Sequence, residues 1–383
     1  MRITSVEATP LNVPVRLPGA ERPSTTLSVC LVAVRCDDGR TGHGMTAITE
    51  EEVVAAAIEH VVAPALIGED PLATERLWER LYWLLAPRGQ TGYACHAIAA
   101  IDLALWDLRA QAAGEPLWRL LGGARPKVPI YATFGYGFMD REHLAEAAKA
   151  AAAQGFPRLK MTVGGHALAR RDEPRPLRDV IAEDTRRVAA VRDAVGAGVE
   201  IAVDANCGLD ALHAGALAHA IEPMGIAFFE EPLTQNDASQ LRALRRRTRI
   251  PLAAGQNEGL AWRFRDLLQA EAVDILQPNV CIGGGFTTCL KVAGLAHAFN
   301  VPIDNGGAWP FHNMHLHAGV MNGGMVEFHH LAVDLLRQVF DGTPEPQAGW
   351  LALPTRPGLG FEPAPERVRE LARRPLSRGR GKA

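Results

Sequence analysis

Asp204, Glu230, Gln256 and Asn279 stand 26, 26 and 23 residues apart, each where a short apolar run turns polar. Lys160 and Glu327 end two further runs of the same kind. Two carboxylates and an amide on neighbouring strands, pointing into one mouth, supply the hard oxygen ligands that suit Mg²⁺. Taken singly, each acid is explained as well by capping the helix that follows or by pairing with a surface base. Several polar strand ends in register are better explained as one constellation.

The elements that must position them follow from the same spacing. From about residue 126, eight apolar runs alternate with Ala- and Leu-rich helical stretches: VPIYATFG, PRLKMTVG, EIAVDAN, IAFFEEP, IPLAAGQ, VDILQPN, VPIDNG and MVEFH. A period near 25 residues is one strand, one helix and two short loops, the repeat of a (β/α) barrel. Runs that stay apolar until their last residues fit parallel buried strands whose C-terminal ends share a mouth. A doubly wound open sheet also alternates, but it calls for a glycine-rich turn after its first strand, and ATFGYGFMD matches that poorly. Before the barrel, residues 1 to about 55 alternate apolar and polar around a DDG hairpin signal, as in a small antiparallel sheet. Glu50 to Leu121 then reads as helical, with AIAAIDLALWDLRAQAAG ending at a glycine stop.

Composition excludes several function classes. With 40 basic and 43 acidic residues the net charge is −3, so no protein-wide field attracts nucleic acid or an anionic membrane. The basic tail RRPLSRGRGKA is interleaved with Gly, Pro and Ser and reads as a solvated end. Six cysteines form no CxxC pair and read as reduced thiols of a cytoplasmic protein. No stretch of about 18 uncharged apolar residues or signal-like N-terminus is visible.

The stretches AIAAIDLALWDLRAQAAGEPLWRLLGG, VDAN, FFEEPL, DILQPN with GGGFTTCLKVAGLAHAFNVP, and GWLALPTRPGLGFEP together resemble the mandelate racemase and muconate-lactonising branch of the enolase superfamily. The resemblance spans essentially the whole chain. It implies a modified (β/α)₇β barrel over residues 126–349, an α+β capping domain over 1–125, and a segment at 350–383 returning to the cap. Cap loops, here Val15 to Ser24 and Gly42 to Thr46, would close over the mouth, where Arg16 and Arg22 would meet an anionic substrate. The implied chemistry is removal of the proton α to a carboxylate, with Mg²⁺ stabilising the enediolate. Asp204 and Glu230 fall on metal-ligand positions, with Asn206 beside them and Asn279 among the residues meeting substrate. Glu327 falls where the family has an acid that hydrogen-bonds the intermediate, and Lys160 matches the first lysine of the family's K-x-K, which helps to hold the substrate carboxylate.

The departures concern the bases. Gln256 stands where the family has a third glutamate ligand. Thr162 replaces the second lysine of K-x-K, Ile282 a strand-six lysine, and Asn279 with Gly306 or Gly307 the Asp and His dyad. Two replacements are available: Lys160, if burial beside a metal lowers its pKa, and His312 in WPFHNMHLH. His315 aligns with a packing histidine, and a zinc site of His312, His315 and His317 is disfavoured because His317 leaves the shared helix face. Cys207 reads as an inert thiol, and Gly283 to Gly285 as either an anion site or a close backbone approach. Losing the dyad argues against racemisation, which needs competent groups on both faces, and favours Mg²⁺-dependent dehydration of a hydroxylated sugar acid. The alternatives are an epimerase or cycloisomerase with an unusual base, and an impaired relative that binds a carboxylate ligand. A homo-oligomer is implied by the resemblance.

Overall fold

The computed structural model describes residues 1–17, 22, 25–85, 92–165 and 176–372. The basic tail therefore lies outside the described residues, as does most of the Val15 to Ser24 loop.

The N-terminal sheet is a meander of β1 (Ile3–Val15), β2 (Thr25–Cys36) and β3 (Thr41–Ala47), all antiparallel. One face of it lies against the helix Tyr93–Ala113. That contact depends on two glycines of β3: a Cβ on Gly42 would sit 2.1 Å from the carbonyl oxygen of Ala104, and one on Gly44 2.0 Å from that of Ala100. Only a residue without a side chain lets strand and helix backbones approach so closely.

The larger sheet is parallel and curls in the order β10 (Val326–His329), β4 (Lys127–Gly135), β5 (Arg158–Thr162), β6 (Glu200–Asp204), β7 (Ile226–Glu230), β8 (Leu252–Ala254), β9 (Ile275–Leu276). Seven of the eight expected runs are strands. The remaining run, VPIDNG, pairs only through Ile303, which bridges Leu276 on one side and Gly323 on the other. Pro302 has no N–H to donate to a ladder, yet its carbonyl accepts from Leu276, and Asn305 N–H donates to Met325, so the run still closes the ring. The architecture is a modified (β/α) barrel with a capping sheet. The short strand Trp350–Ala352 pairs antiparallel with β4, and the helix Pro365–Leu371 packs on β1.

Inside the barrel, side chains alternate by strand parity. Tyr131, Ala202, Phe228 and Ala253 form an apolar floor, with the Tyr131 and Phe228 rings edge to face at 5.7 Å. Polar residues begin immediately above it. Cap and barrel are joined at the Gly283 to Gly285 turn: Asp102 of the cap helix accepts from Thr287 N–H at 2.9 Å and Thr287 Oγ1 at 2.6 Å, while Trp78 Nε1 donates to Gly284 O. A Cβ on Gly285 would fall 2.3 Å from Asp102 Oδ2. Of the two readings of these glycines the close approach applies, and the anion at the helix start is the protein's own carboxylate. Among the described residues no helix is long and apolar enough to cross a membrane.

Candidate active site

Above the floor, Lys160 from β5 is 1% exposed and its Nζ meets three carboxylates. It lies 2.6 Å from Glu230 Oε1, 3.1 Å from Asp204 Oδ2 and 3.1 Å from Glu327 Oε1. Burial alone would drive the ammonium toward neutrality, but the Asp204, Glu230 and Glu327 carboxylates outweigh it and hold the Lys160 pKa well above that of free lysine. The expected lowering of the Lys160 pKa is thereby reversed. Against these three carboxylates the lysine is held as a cation.

Glu230 is shifted upward by burial and then by the Asp204 carboxylate. Burial would shift Glu327 the same way, yet the Lys160 ammonium, then His329, then its hydrogen-bond donors bring it below the usual carboxylate range. Those donors are Thr133 Oγ1 and, at 2.7 Å, Ala308 N–H. Gln277 supports Glu230 through Nε2 at 2.8 Å. The Asn206 N–H, with the residue in a left-handed turn at φ 46°, holds Asp204 Oδ1 at 2.8 Å and leaves the Asn206 side chain exposed.

Gln256 is buried at the end of β8, and its Nε2 donates to Glu231 Oε2 at 2.9 Å. Glu231 is itself fully buried and also accepts from Asn257 Nδ2 at 2.6 Å and Asn236 Nδ2 at 2.8 Å. A carboxylate surrounded by three amide donors fixes which way the Gln256 amide faces. Its Oε1 is turned the other way, 3.0 Å from where a Cβ on Gly307 would lie. A Cβ on Gly306 would lie 3.2 Å from Glu230 Oε1. Gly306 and Gly307 thus pack closely against Glu230, Gln277 and Gln256, where a side chain would be crowded.

A divalent ion fits these residues. One ammonium is set against three acidic side chains, an excess of acid that a divalent cation offsets. Asp204 and Glu230 already bracket a cation in the form of the Lys160 ammonium, and the one described hydrogen bond of the Gln256 amide is made by its Nε2, not its Oε1. Among the described residues three acids bring ligand atoms within 4.8 Å of one another only at Glu50, Glu51 and Glu52 on the cap; the candidate donor set in the barrel is two carboxylates and an amide, and it lies at the strand ends where a barrel works.

Other expected site residues lie elsewhere. His312 is fully buried outside the barrel, its ring 5.0 Å from that of Phe361 and 5.5 Å from that of Phe340, and neither nitrogen has a hydrogen-bond partner among the described residues. Burial, then His315, brings its pKa down to about 3, so the ring is neutral and apart from the carboxylates. The phase of the helix Pro310–Gly319 turns His312 toward the C-terminal segment, which corrects the expectation that it serves as a base. His315 packs there too, hydrogen-bonded to Leu359 O. Asn279 is also corrected as a substrate contact. Its Nδ2 donates to the carbonyls of Gly306, Gly307 and Ala308, and its Oδ1 accepts from Cys281 N–H and Asn313 Nδ2, so it shapes the loop around the glycines. Arg16 is exposed, with its backbone N–H on Asp334, and Arg22 is exposed; no described contact ties either to the cluster. Burial, then Glu231, raises the Cys207 thiol pKa, in keeping with an inert thiol.

Three residues were missed by sequence reasoning. Glu231 follows Glu230 in FFEEP, and Gln277 precedes Asn279 in ILQPN; both stand beside residues already singled out. His329 had a signal in VEFH, since a strand alternating every two residues puts it on the same face as Glu327.

The model of the mandelate racemase / muconate lactonizing enzyme N-terminal domain matches residues 2–122, and that of the enolase C-terminal domain-like family matches 143–367. The chain is 31% identical over 350 residues to the arabinonate dehydratase of Saccharolobus solfataricus, covering 89% of each protein. It is 32% identical over 355 residues to the 3,6-anhydro-alpha-L-galactonate cycloisomerase of Streptomyces coelicolor, covering 89% of this chain and 91% of that one. The L-talarate dehydratase structure from Polaromonas sp. JS666, complexed with Mg and L-glucarate, superposes with a TM-score of 0.84 at 31% identity, over 97% of this chain and 98% of that one. Its relatives are sugar-acid dehydratases and cycloisomerases, and the protein belongs to the mandelate racemase and muconate-lactonising family of the enolase superfamily.

Proposed function

We propose that the protein is a Mg²⁺-dependent dehydratase of a hydroxylated sugar acid. The observation that carries this reading is the buried cluster of three acidic side chains around one ammonium at the strand ends of the barrel. Mg²⁺ held by Asp204, Glu230 and Gln256 Oε1 would supply the fixed positive charge that makes a proton α to a carboxylate removable near neutral pH. Lys160, kept as an ammonium, holds the substrate carboxylate and stabilises the charge that develops on it. Glu327, anchored by Thr133 and Ala308, hydrogen-bonds the oxygen opposite. Asn206 stands exposed beside Asp204 to meet a substrate hydroxyl, and Arg16 and Arg22 on the cap loop would draw in the anion. The C2 proton and the C3 hydroxyl leave together as water, and the enol that remains takes a solvent proton at C3 while its hydroxyl gives one up, giving a 2-keto-3-deoxy acid. The chain organisation we propose is a cap over 1–125, a barrel over 126–349 and a returning segment over 350–383, in a cytoplasmic homo-oligomer.

Arabinonate and galactonate are the acids to try first, since relatives are named for both. In D₂O with Mg²⁺ the product is expected to carry deuterium at C3, with no epimer of the substrate appearing. Epimer interconversion or ring closure without loss of water would remove the dehydratase. Titration calorimetry tests the metal set separately. Glu230→Ala is expected to abolish Mg²⁺ binding, and Gln256→Glu to tighten it ten-fold or more, about 1.4 kcal/mol. A silent wild type with an unimproved glutamate variant would mean that the site is not a metal site.

A further inference from the structure

His329 ends β10, two residues beyond Glu327. Val326 and Phe328 of the same strand belong to the outer hydrophobic core, with Phe328 against Phe156. Glu327 reaches inward to Lys160, and parity sends His329 to the same side, level with Thr133 of β4 in the ladder. The ring is half-buried and edge-on to Tyr136 at 5.6 Å, with Tyr136 stacked in turn on the exposed Phe138. No other part of the site uses it.

What it can do there is set from behind. His329 is also the N-cap of the helix His330–Val339, and its Nδ1 accepts the N–H of Ala332 at 3.4 Å. An accepting Nδ1 carries a lone pair, so the proton of the neutral ring is on Nε2. The positive end of the helix disfavours an imidazolium, and burial acts in the same direction, although Glu327 and Asp204 oppose it and Lys160 reinforces it. Glu327, Asp204, Lys160 and the neighbouring His330 are the titratable groups that act on or with the imidazole, and its ring contact is with Tyr136.

We propose that His329 is a neutral hydrogen-bond donor to the bound acid, offering Nε2–H to one of its oxygens while Nδ1 is held by the helix behind. It is thus a ligand-contacting residue additional to the metal and lysine set, and it selects an oxygen acceptor at that point of the substrate. A neutral imidazole held by a helix N-terminus can polarise an oxygen without giving up its proton. This inference rests on the dehydratase reading for its ligand but on the strand and helix geometry for its chemistry.

The test has two arms. In ¹⁵N-histidine-labelled protein, with His329→Gln used to assign the ring, the expected state between pH 6 and 8 is the neutral tautomer protonated at Nε2, with that resonance shifting when arabinonate or galactonate is added with Mg²⁺. In turnover, His329→Ala is expected to lose roughly 10²–10³-fold in kcat, the scale of one removed donor, and His329→Gln, which keeps an N–H, to recover at least about ten-fold of that loss. A proton on Nδ1, an imidazolium at pH 7, no shift with either acid, or Ala and Gln variants of equal activity would overturn the proposal. If neither acid is turned over by wild type, the dehydratase reading fails, and the tautomer and ligand-induced shift still decide for His329.

Discussion

Replacing Lys160 by methionine keeps its length and volume and removes only the charge. The ammonium lies within 3.1 Å of three carboxylates whose side chains are all nearly inaccessible. At an effective dielectric of about 20, each contact near 3 Å is worth about 5 kcal/mol before desolvation. The net loss is smaller, because stranded carboxylates take up protons; removing one partner of a buried pair typically costs about 3–5 kcal/mol. Urea unfolding of wild type and Lys160→Met in EDTA at pH 8 is therefore expected to differ by that amount. The sign with pH follows. In the variant the carboxyl groups have folded pKa values above their unfolded ones, so they bind more protons when folded, and the deficit shrinks as pH falls toward 5 and grows as pH rises. Excess Mg²⁺ is expected to stabilise the variant more than wild type, since no ammonium competes for Asp204 and Glu230. A variant within about 1 kcal/mol of wild type in EDTA, with the same response to Mg²⁺, would refute the claim that Lys160 is the cluster's counter-ion.

His312→Leu exchanges an unpartnered buried imidazole for an apolar side chain between Phe340 and Phe361, so turnover should stay within about three-fold of wild type and the urea midpoint should hold or rise; a ten-fold loss of kcat would restore His312 as a catalytic group. Asp102, raised to about 7 by burial against its Thr287 hydrogen bonds, binds its proton in the folded state where the unfolded chain has lost it. Between pH 4 and 7 stability should therefore fall by up to about 1.4 kcal/mol per pH unit from this residue alone, and Asp102→Asn should flatten that slope; an unchanged slope would assign it to other groups.

The barrel was legible because strand-plus-helix units impose a period on the chain, and a strand end announces itself where an apolar run meets polar residues. VPIDNG shows where that signal stops: hydrophobicity marks the run, but Pro302 leaves it only single-residue bridges. The metal set we propose follows the same pattern as the barrel, since Asp204, Glu230 and Gln256 occupy one phase of the repeat. His329 is legible in principle from the parity of VEFH but stands outside the strand-end pattern shared by Asp204, Glu230 and Gln256.

The sequence by itself determined the periodic architecture and the placing of Asp204, Glu230, Gln256, Lys160 and Glu327 at the ends of its apolar runs, both properties of local pattern and spacing. Tertiary structure alone decided the state of those groups. Whether Lys160 is a base or a fixed cation depends on carboxylates 44 and 70 residues away, whose attraction outweighs its desolvation. The facing of the Gln256 amide depends on Glu231, and the side of its helix that His312 takes depends on a C-terminal segment that folds back to supply Phe361. Charge state, amide orientation and helix phase are set by what a side chain is packed against, and for these residues the neighbours that matter are distant in the chain.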